Sequence, residues 1–197
     1  MATEEFDIVN LHDKTTGQVT TKVEAHTDGI WHRLVAVYVF DTDGKLLVQD
    51  HKKHRLLDHS VGGHVRAGET YPQAAAREAS EELGLDGLPL TELFTGLYSY
   101  EIFDAEKQGD KQLHFFGIYE CHLPAGWKFE PNDEVDKILH MDLKEVVDLL
   151  NAEPGRFTPG IVNTMEKYIE VKKLPYDFDV ERLRAKWGAS YAKLSAK

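Results

Sequence analysis

Residues 63–85 read Gly63-His64-Val65-Arg66-Ala67-Gly68-Glu69-Thr70-Tyr71-Pro72-Gln73-Ala74-Ala75-Ala76-Arg77-Glu78-Ala79-Ser80-Glu81-Glu82-Leu83-Gly84-Leu85. Thr70 followed three residues later by Gln73 forms a capping box, Pro72 falls in the first turn where its missing N–H is tolerated, and Gly84 supplies the left-handed residue that stops a helix. These signals predict a helix over 71–83. On it Glu78 is i,i+3 from Glu81 and i,i+4 from Glu82, so three carboxylates share one surface beside an apolar stripe of Tyr71, Ala75, Ala79 and Leu83. Like charges at such spacings repel by about 0.2–0.5 kcal/mol per pair. A hard divalent cation would compensate, since Mg²⁺ takes oxygen ligands and keeps positions for water and phosphate. The plain alternative is a solvated acidic face. Against it stand Gly62-Gly63, placed where the backbone must bend tightly or approach a ligand, and the oppositely charged Glu69 and Arg77 flanking the first turns.

Gly63, five residues, Glu69, seven residues, then Arg77-Glu78-Ala79-Ser80-Glu81-Glu82-Leu83-Gly84-Leu85 resembles the Nudix box, G-x5-E-x7-R-E-U-x-E-E-x-G-U with U apolar, and every specified position is filled. The resemblance implies an α+β Nudix fold, a mixed β-sheet sandwiched between α-helices, with extra helices at the C-terminal end. It implies metal-dependent attack of water on a nucleoside diphosphate linked to a second group, or on another organic diphosphate. Glu78, Glu81 and Glu82 would then be the catalytic and metal-holding carboxylates for Mg²⁺ or Mn²⁺, with the backbone of Gly62 or Gly63 as a further ligand. Glu78 is the candidate base, a late-loop carboxylate its rival, and Glu69 with Arg77 a structural ion pair.

The chain has 197 residues, 42% hydrophobic and 29% charged, an ordinary composition for one soluble domain over 1–197. No run approaches a membrane span, and Met1-Ala2-Thr3-Glu4-Glu5 lacks a secretory profile. One cysteine, Cys121, fits a reducing cytoplasm. A net charge of −11 disfavours nucleic-acid polymers, though not a small phosphorylated substrate.

Outside the box, residues 6–23 read as a hairpin about a turn at 14–17. Residues 24–33 read as a loop. There Trp31 either covers a sheet edge with solvated histidines beside it, or His32 and Arg33 bind substrate. Residues 34–40 are apolar throughout, as in a strand buried on both faces, and turn at 41–44 into a partner strand. The added pattern of Asp7-Ile8-Val9-Asn10, then Gly17, then His32-Arg33 before the apolar strand, is similar to the Nudix branch that includes isopentenyl-diphosphate isomerase and its hydrolase relatives. That isomerase uses a cysteine shortly before the box, and positions 56–64 contain none. The cluster His51-Lys52-Lys53-His54-Arg55 is either a solvated loop or the place where Lys52, Lys53 or Arg55 meets phosphate.

Further on, 90–100 and 112–121 read as strands, 103–111 as a mobile loop, and 137–141 as a last strand. Glu134, Asp133, Glu130 and Glu120 are the candidates for a late carboxylate. Asp142 starts a helix over 143–151, Pro159 opens another that runs to 173, and 177–197 reads as a terminal helix. This C-terminal extension, 159–197, is expected to pack on the body or on a second copy in a homodimer. The expected partner of the site is a small-molecule diphosphate, with no membrane. The rivals are a carbon-centred isomerase and a binding module without catalysis.

Overall fold

A computed structural model describes residues 4–50, 56–103, 110–133 and 135–186. Strands β1 (Glu5–Val9) and β2 (Thr15–Thr21) form an antiparallel hairpin that is its own two-stranded sheet. Helix α1 (Lys22–Asp28) follows at once, which corrects the loop expected over 24–33. The local reason is a second capping box. Glu24 accepts from the Thr21 N–H at 3.0 Å, Thr21 Oγ1 accepts from the Glu24 N–H at 3.3 Å, and Gly29 stops the helix at φ 73°.

Among the described residues the main sheet has seven strands. Strand β3 (His32–Phe40) lies at its centre, antiparallel to β4 (Leu46–Asp50) and to β6 (Val61–His64), and parallel to β8 (Asp110–His122). Strand β5 (Leu57–Asp58) and β9 (Lys137–Met141) pair with β4, and β7 (Thr91–Phe103) pairs with β8. Alternation along β3 divides the core. Val35, Val37 and Val39 pack with Ala75, Ala79 and Leu83 of α2 (Tyr71–Leu83) on one face. Ala36, Tyr38 and Phe40 pack with Val147 and Leu150 of α3 (Leu143–Ala152) and with Met165 of α4 (Pro159–Lys172) on the other. The result is the expected α+β sandwich of a mixed sheet between helices.

Polar groups buried between β3 and α4 are paired with one another, which offsets their desolvation. Tyr38 OH bonds Thr164 Oγ1 at 2.9 Å, and His59 Nε2 bonds the same oxygen at 2.6 Å. Asp58 accepts from Thr158 at 2.6 Å and lies 2.8 Å from His59 Nδ1, tying the approach to the box onto α4. Thr164 is fully buried, so this Asp58–His59–Thr164 chain is structural despite its triad-like order. The short helix α5 (Val180–Lys186) buries Val180 and Leu183 against the α4 side of the core. Expected apolar positions beyond it, Trp187, Tyr191 and Leu194, lie outside the described residues.

Candidate active site

Helix α2 starts where expected, with Gln73 accepting from the Thr70 N–H at 2.9 Å, and ends at Gly84, φ 64°. Its third and fourth turns carry Glu78, Glu81 and Glu82 against β6. Glu78 and Glu82 are buried, at 7% and 8% exposure, whereas Glu81 is exposed. Glu78 sits so close to the strand that a Cβ on Gly63 would fall on top of its carboxylate. Only glycine leaves that space. Glu82 is gripped from the other side. Gln49 Nε2 on β4 donates to its Oε2 at 2.5 Å while also donating to the Ser60 carbonyl, and the Gly62 N–H lies 3.4 Å from the same oxygen.

Arg77 joins the carboxylates. Its Nε and Nη2 donate to the two oxygens of Glu69 at 2.8 and 2.9 Å, a bidentate fork that is the expected ion pair. Nη2 also donates to the His64 carbonyl at 2.9 Å, and Nη1 reaches Glu78 at 2.7 Å and Glu81 at 3.0 Å. The bond from Arg77 holds the Glu69 carboxyl below its ordinary pKa. Glu82 behaves oppositely: burial, reinforced by the charge of Glu78, pushes it well above the carboxylate range despite the Gln49 and Gly62 donors. Arg77 is shared by Glu69, Glu78 and Glu81, and Arg66 also reaches Glu81 at 3.4 Å, so the two buried carboxylates leave negative charge that a cation could balance.

The other candidates fall elsewhere. Arg33 donates to Asp13 Oδ1 at 2.6 Å and to the Asp13 carbonyl, with its guanidinium over the Tyr71 ring, so it ties the hairpin turn to the body. Lys52, Lys53, Arg55 and Glu134 lie outside the described residues. Glu120 is on the sheet face away from α2, where it accepts from Tyr168 at 2.6 Å and Lys172 at 3.0 Å, which removes it as a late ligand. Asp133 and Glu130 are exposed, and their loop contributes Asn132 instead, whose Nδ2 donates to the Glu82 carbonyl at 2.9 Å at the end of α2. Trp31 stacks on Tyr98 with ring centroids 4.7 Å apart.

The NUDIX domain family model matches residues 30–161. The chain belongs to the Nudix hydrolase family. Its similar relatives include an uncharacterized Nudix hydrolase of Streptomyces coelicolor, 43% identical over 103 residues that span 49% of this chain and 56% of that protein. The uncharacterized Nudix hydrolase YfcD of Escherichia coli K12 is 27% identical over 86% of this chain and 88% of its own. An isopentenyl-diphosphate Delta-isomerase of Pectobacterium atrosepticum is 30% identical over 78% and 85%. Among solved structures, DR0079 from Deinococcus radiodurans superposes with a TM-score of 0.62 at 23% identity, covering 88% of this chain and all of that one, a likeness of fold. No described helix of this Nudix protein is long and apolar enough to cross a membrane.

His32 requires a correction. It opens β3 with no exposed surface, so it cannot meet a substrate arriving from solvent. Its ring faces His64, stacked at 5.2 Å, and His114, edge-on at 4.5 Å, with His26 of α1 at 5.3 Å. Burial pushes His32 down to about 4 and holds His64 and His114 well below their ordinary pKa. In the unfolded chain a histidine titrates near 6.5, so the stability from keeping these rings neutral is complete above about pH 6.5 and lost as the pH falls toward 4. Each ring contributes a slope of about 1.4 kcal/mol per pH unit at most. Urea unfolding of chelator-treated protein at pH 7, 6 and 5 is therefore expected to show a steep loss below 6.5 that is shallower in His114→Phe. Equal slopes in the two proteins would contradict it.

Proposed function

We propose that this Nudix hydrolase cleaves a diphosphate linkage in a small organic diphosphate, by attack of water on phosphorus, with Mg²⁺ or Mn²⁺ as cofactor. The observation that carries this is the pair of buried carboxylates, Glu78 and Glu82, pressed against β6 where Gly63 leaves no room for a side chain. The donors are all oxygen, which suits a hard ion. Glu78, Glu81 and Glu82 would hold it, with a carbonyl of Gly62 or Gly63 as a further ligand. Bound there, a divalent ion neutralises phosphate oxygens and makes a water more acidic.

The chain's own groups do the rest. Glu78, on α2 where it packs against Gly63 of β6, takes the proton of the attacking water. Arg77 fixes Glu78 and Glu81 relative to Glu69, and Gln49 fixes Glu82, so the acids are oriented before substrate arrives. The single buried cysteine favours a reducing compartment, the cytoplasm.

The relation to an isomerase sets the second reading. That chemistry would need an acid at carbon, and residues 56–64 hold no cysteine. Cys121 is buried in the core beneath α2, with its thiol pushed up by burial. A screen of nucleoside and prenyl diphosphates is expected to give phosphate-containing hydrolysis products that vanish with chelator and return with Mg²⁺ or Mn²⁺. Isopentenyl diphosphate converted to its isomer without hydrolysis, or tight ligand binding with no metal-stimulated cleavage, would replace this reading.

A further inference from the structure

Among the described residues two arginines meet the acids of α2, and they stand differently. Arg77 donates from Nε, Nη1 and Nη2 to Glu69, Glu78, Glu81 and the His64 carbonyl at 2.7–3.0 Å, with 15% of its side chain exposed. Arg66, in the loop between β6 and α2, is 41% exposed and bonds closely only through Nε, to Glu4 Oε1 at 2.5 Å. Its outer nitrogens face Glu81 as a fork, Nη1 to Oε1 at 3.4 Å and Nη2 to Oε2 at 3.5 Å. We infer that Arg66 is a substrate-binding residue of this site, its two outer nitrogens gripping oxygens of one phosphate of the diphosphate. This role rests on the diphosphate reading of the carboxylate site.

Donor capacity separates the two side chains. A guanidinium carries five N–H donors in a planar fork. Arg77 uses every one of them in a close bond to an acid or a carbonyl, so it has none left for a ligand. Arg66 commits one, and the four hydrogens on Nη1 and Nη2 make only the long contacts to Glu81. Charge-assisted bonds of this kind normally span about 2.7–2.9 Å, so the fork on Glu81 is loose and exchanging it for a closer acceptor costs little. Phosphate is that acceptor: it offers paired oxygens to the fork and more charge than a carboxylate.

Position and anchoring agree with that role. Glu81 lies between the two guanidiniums, bonded to Arg77 Nη1 at 3.0 Å and faced by Arg66, so the loose fork opens on the exposed flank of the same acids. Glu4 holds Nε, and the Arg66 N–H donates to Glu69 Oε2 at 2.9 Å, tying its loop to the ion pair of Arg77. The plane of the fork is thus set before an anion arrives, which lowers the cost of binding one. The rival role for Arg66 is a latch alone, joining Glu4 of the N-terminal segment to Glu81 of α2. Exposed pairs of that kind contribute little.

The test titrates full-length protein in saturating Mg²⁺ with methylenediphosphonate, a diphosphate that cannot be hydrolysed, and reads the heat of binding. Arg66→Gln is expected to bind it about tenfold more weakly or worse, the loss of charged hydrogen bonds to a phosphate. Arg66→Lys keeps the charge without the fork and is expected to lose about threefold or more; should the glutamine variant fail to fold, it decides alone. Glu4→Gln cuts only the latch and should stay within about twofold of the wild type. Mn²⁺ affinity without the anion, read by electron paramagnetic resonance, should be unchanged or tighter in Arg66→Gln, because a positive charge beside Glu81 is gone. Wild type that binds no diphosphonate, Arg66 variants that bind it as the wild type does, Glu4→Gln that loses as much as Arg66→Gln, or Mn²⁺ affinity that falls together with diphosphonate affinity would overturn the assignment. Because binding is read without turnover, wild type that grips the diphosphonate through Arg66 yet cleaves no diphosphate would sink the hydrolase reading and leave this role standing. Metal-stimulated cleavage with diphosphonate affinity untouched in both Arg66 variants would do the reverse.

Discussion

Glu82→Gln is expected to lower kcat by about 10²-fold or more while the protein remains folded. Glutamine keeps the shape of the side chain and can still meet Gln49, so packing at β4 is preserved. It removes a negative charge that burial and Glu78 already oppose, as the upward displacement of its pKa shows. Two readouts should therefore move in opposite directions. Without metal, the variant should unfold at an equal or higher temperature than the wild type, because a buried like-charge pair has been relieved. With added Mg²⁺ or Mn²⁺, the wild type should gain more thermal stability than the variant, since binding to the folded state stabilises it by mass action. A folded variant with wild-type turnover would remove Glu82 from the chemistry.

The second large effect is steric. In Gly63→Ala the new methyl group would occupy the space of the Glu78 carboxylate, so that side chain must swing aside and give up its contact with Arg77. Overpacking of this kind costs about 1–3 kcal/mol of stability. A shift of the acid by about 1 Å could cost a further 10²-fold in rate. Gly62→Ala is the matched control. Its Cβ would meet His59 Nδ1 at 3.6 Å and the Val35 carbonyl at 3.7 Å, ordinary contacts, so near-normal stability is expected there. Equal melting temperatures for the two variants would show that Glu78 does not press on β6 as described.

Helix α2 and its acids are legible in the sequence because every determinant is local: two caps, an apolar stripe and charges at turn spacing. Strand β3 is legible because burial on both faces demands an unbroken apolar run. Helix α1 is not, since seven residues are too few for a periodic pattern, although Thr21 and Glu24 carry the signature of its start. Glu120 misleads for a different reason: a strand gives alternate residues to opposite faces, and nothing near it says which face holds the box. The histidines are illegible as a group. They stand 6, 32 and 50 positions apart along the chain, and only the pairing of β3 with both β6 and β8 brings them together.

The N-terminal hairpin acts as a stopper. Phe6 seals the imidazole chamber, the Glu5 carbonyl accepts from the Ala67 N–H, and Asp7 accepts from the Gly68 N–H in the loop that leads into α2. A fragment trimmed to the family-matched stretch 30–161 would discard that stopper and His26 at one end, and Met165 and Tyr168 of the opposite core at the other. Boundaries drawn by family likeness would thus amputate parts of this molecule that keep its interior dry.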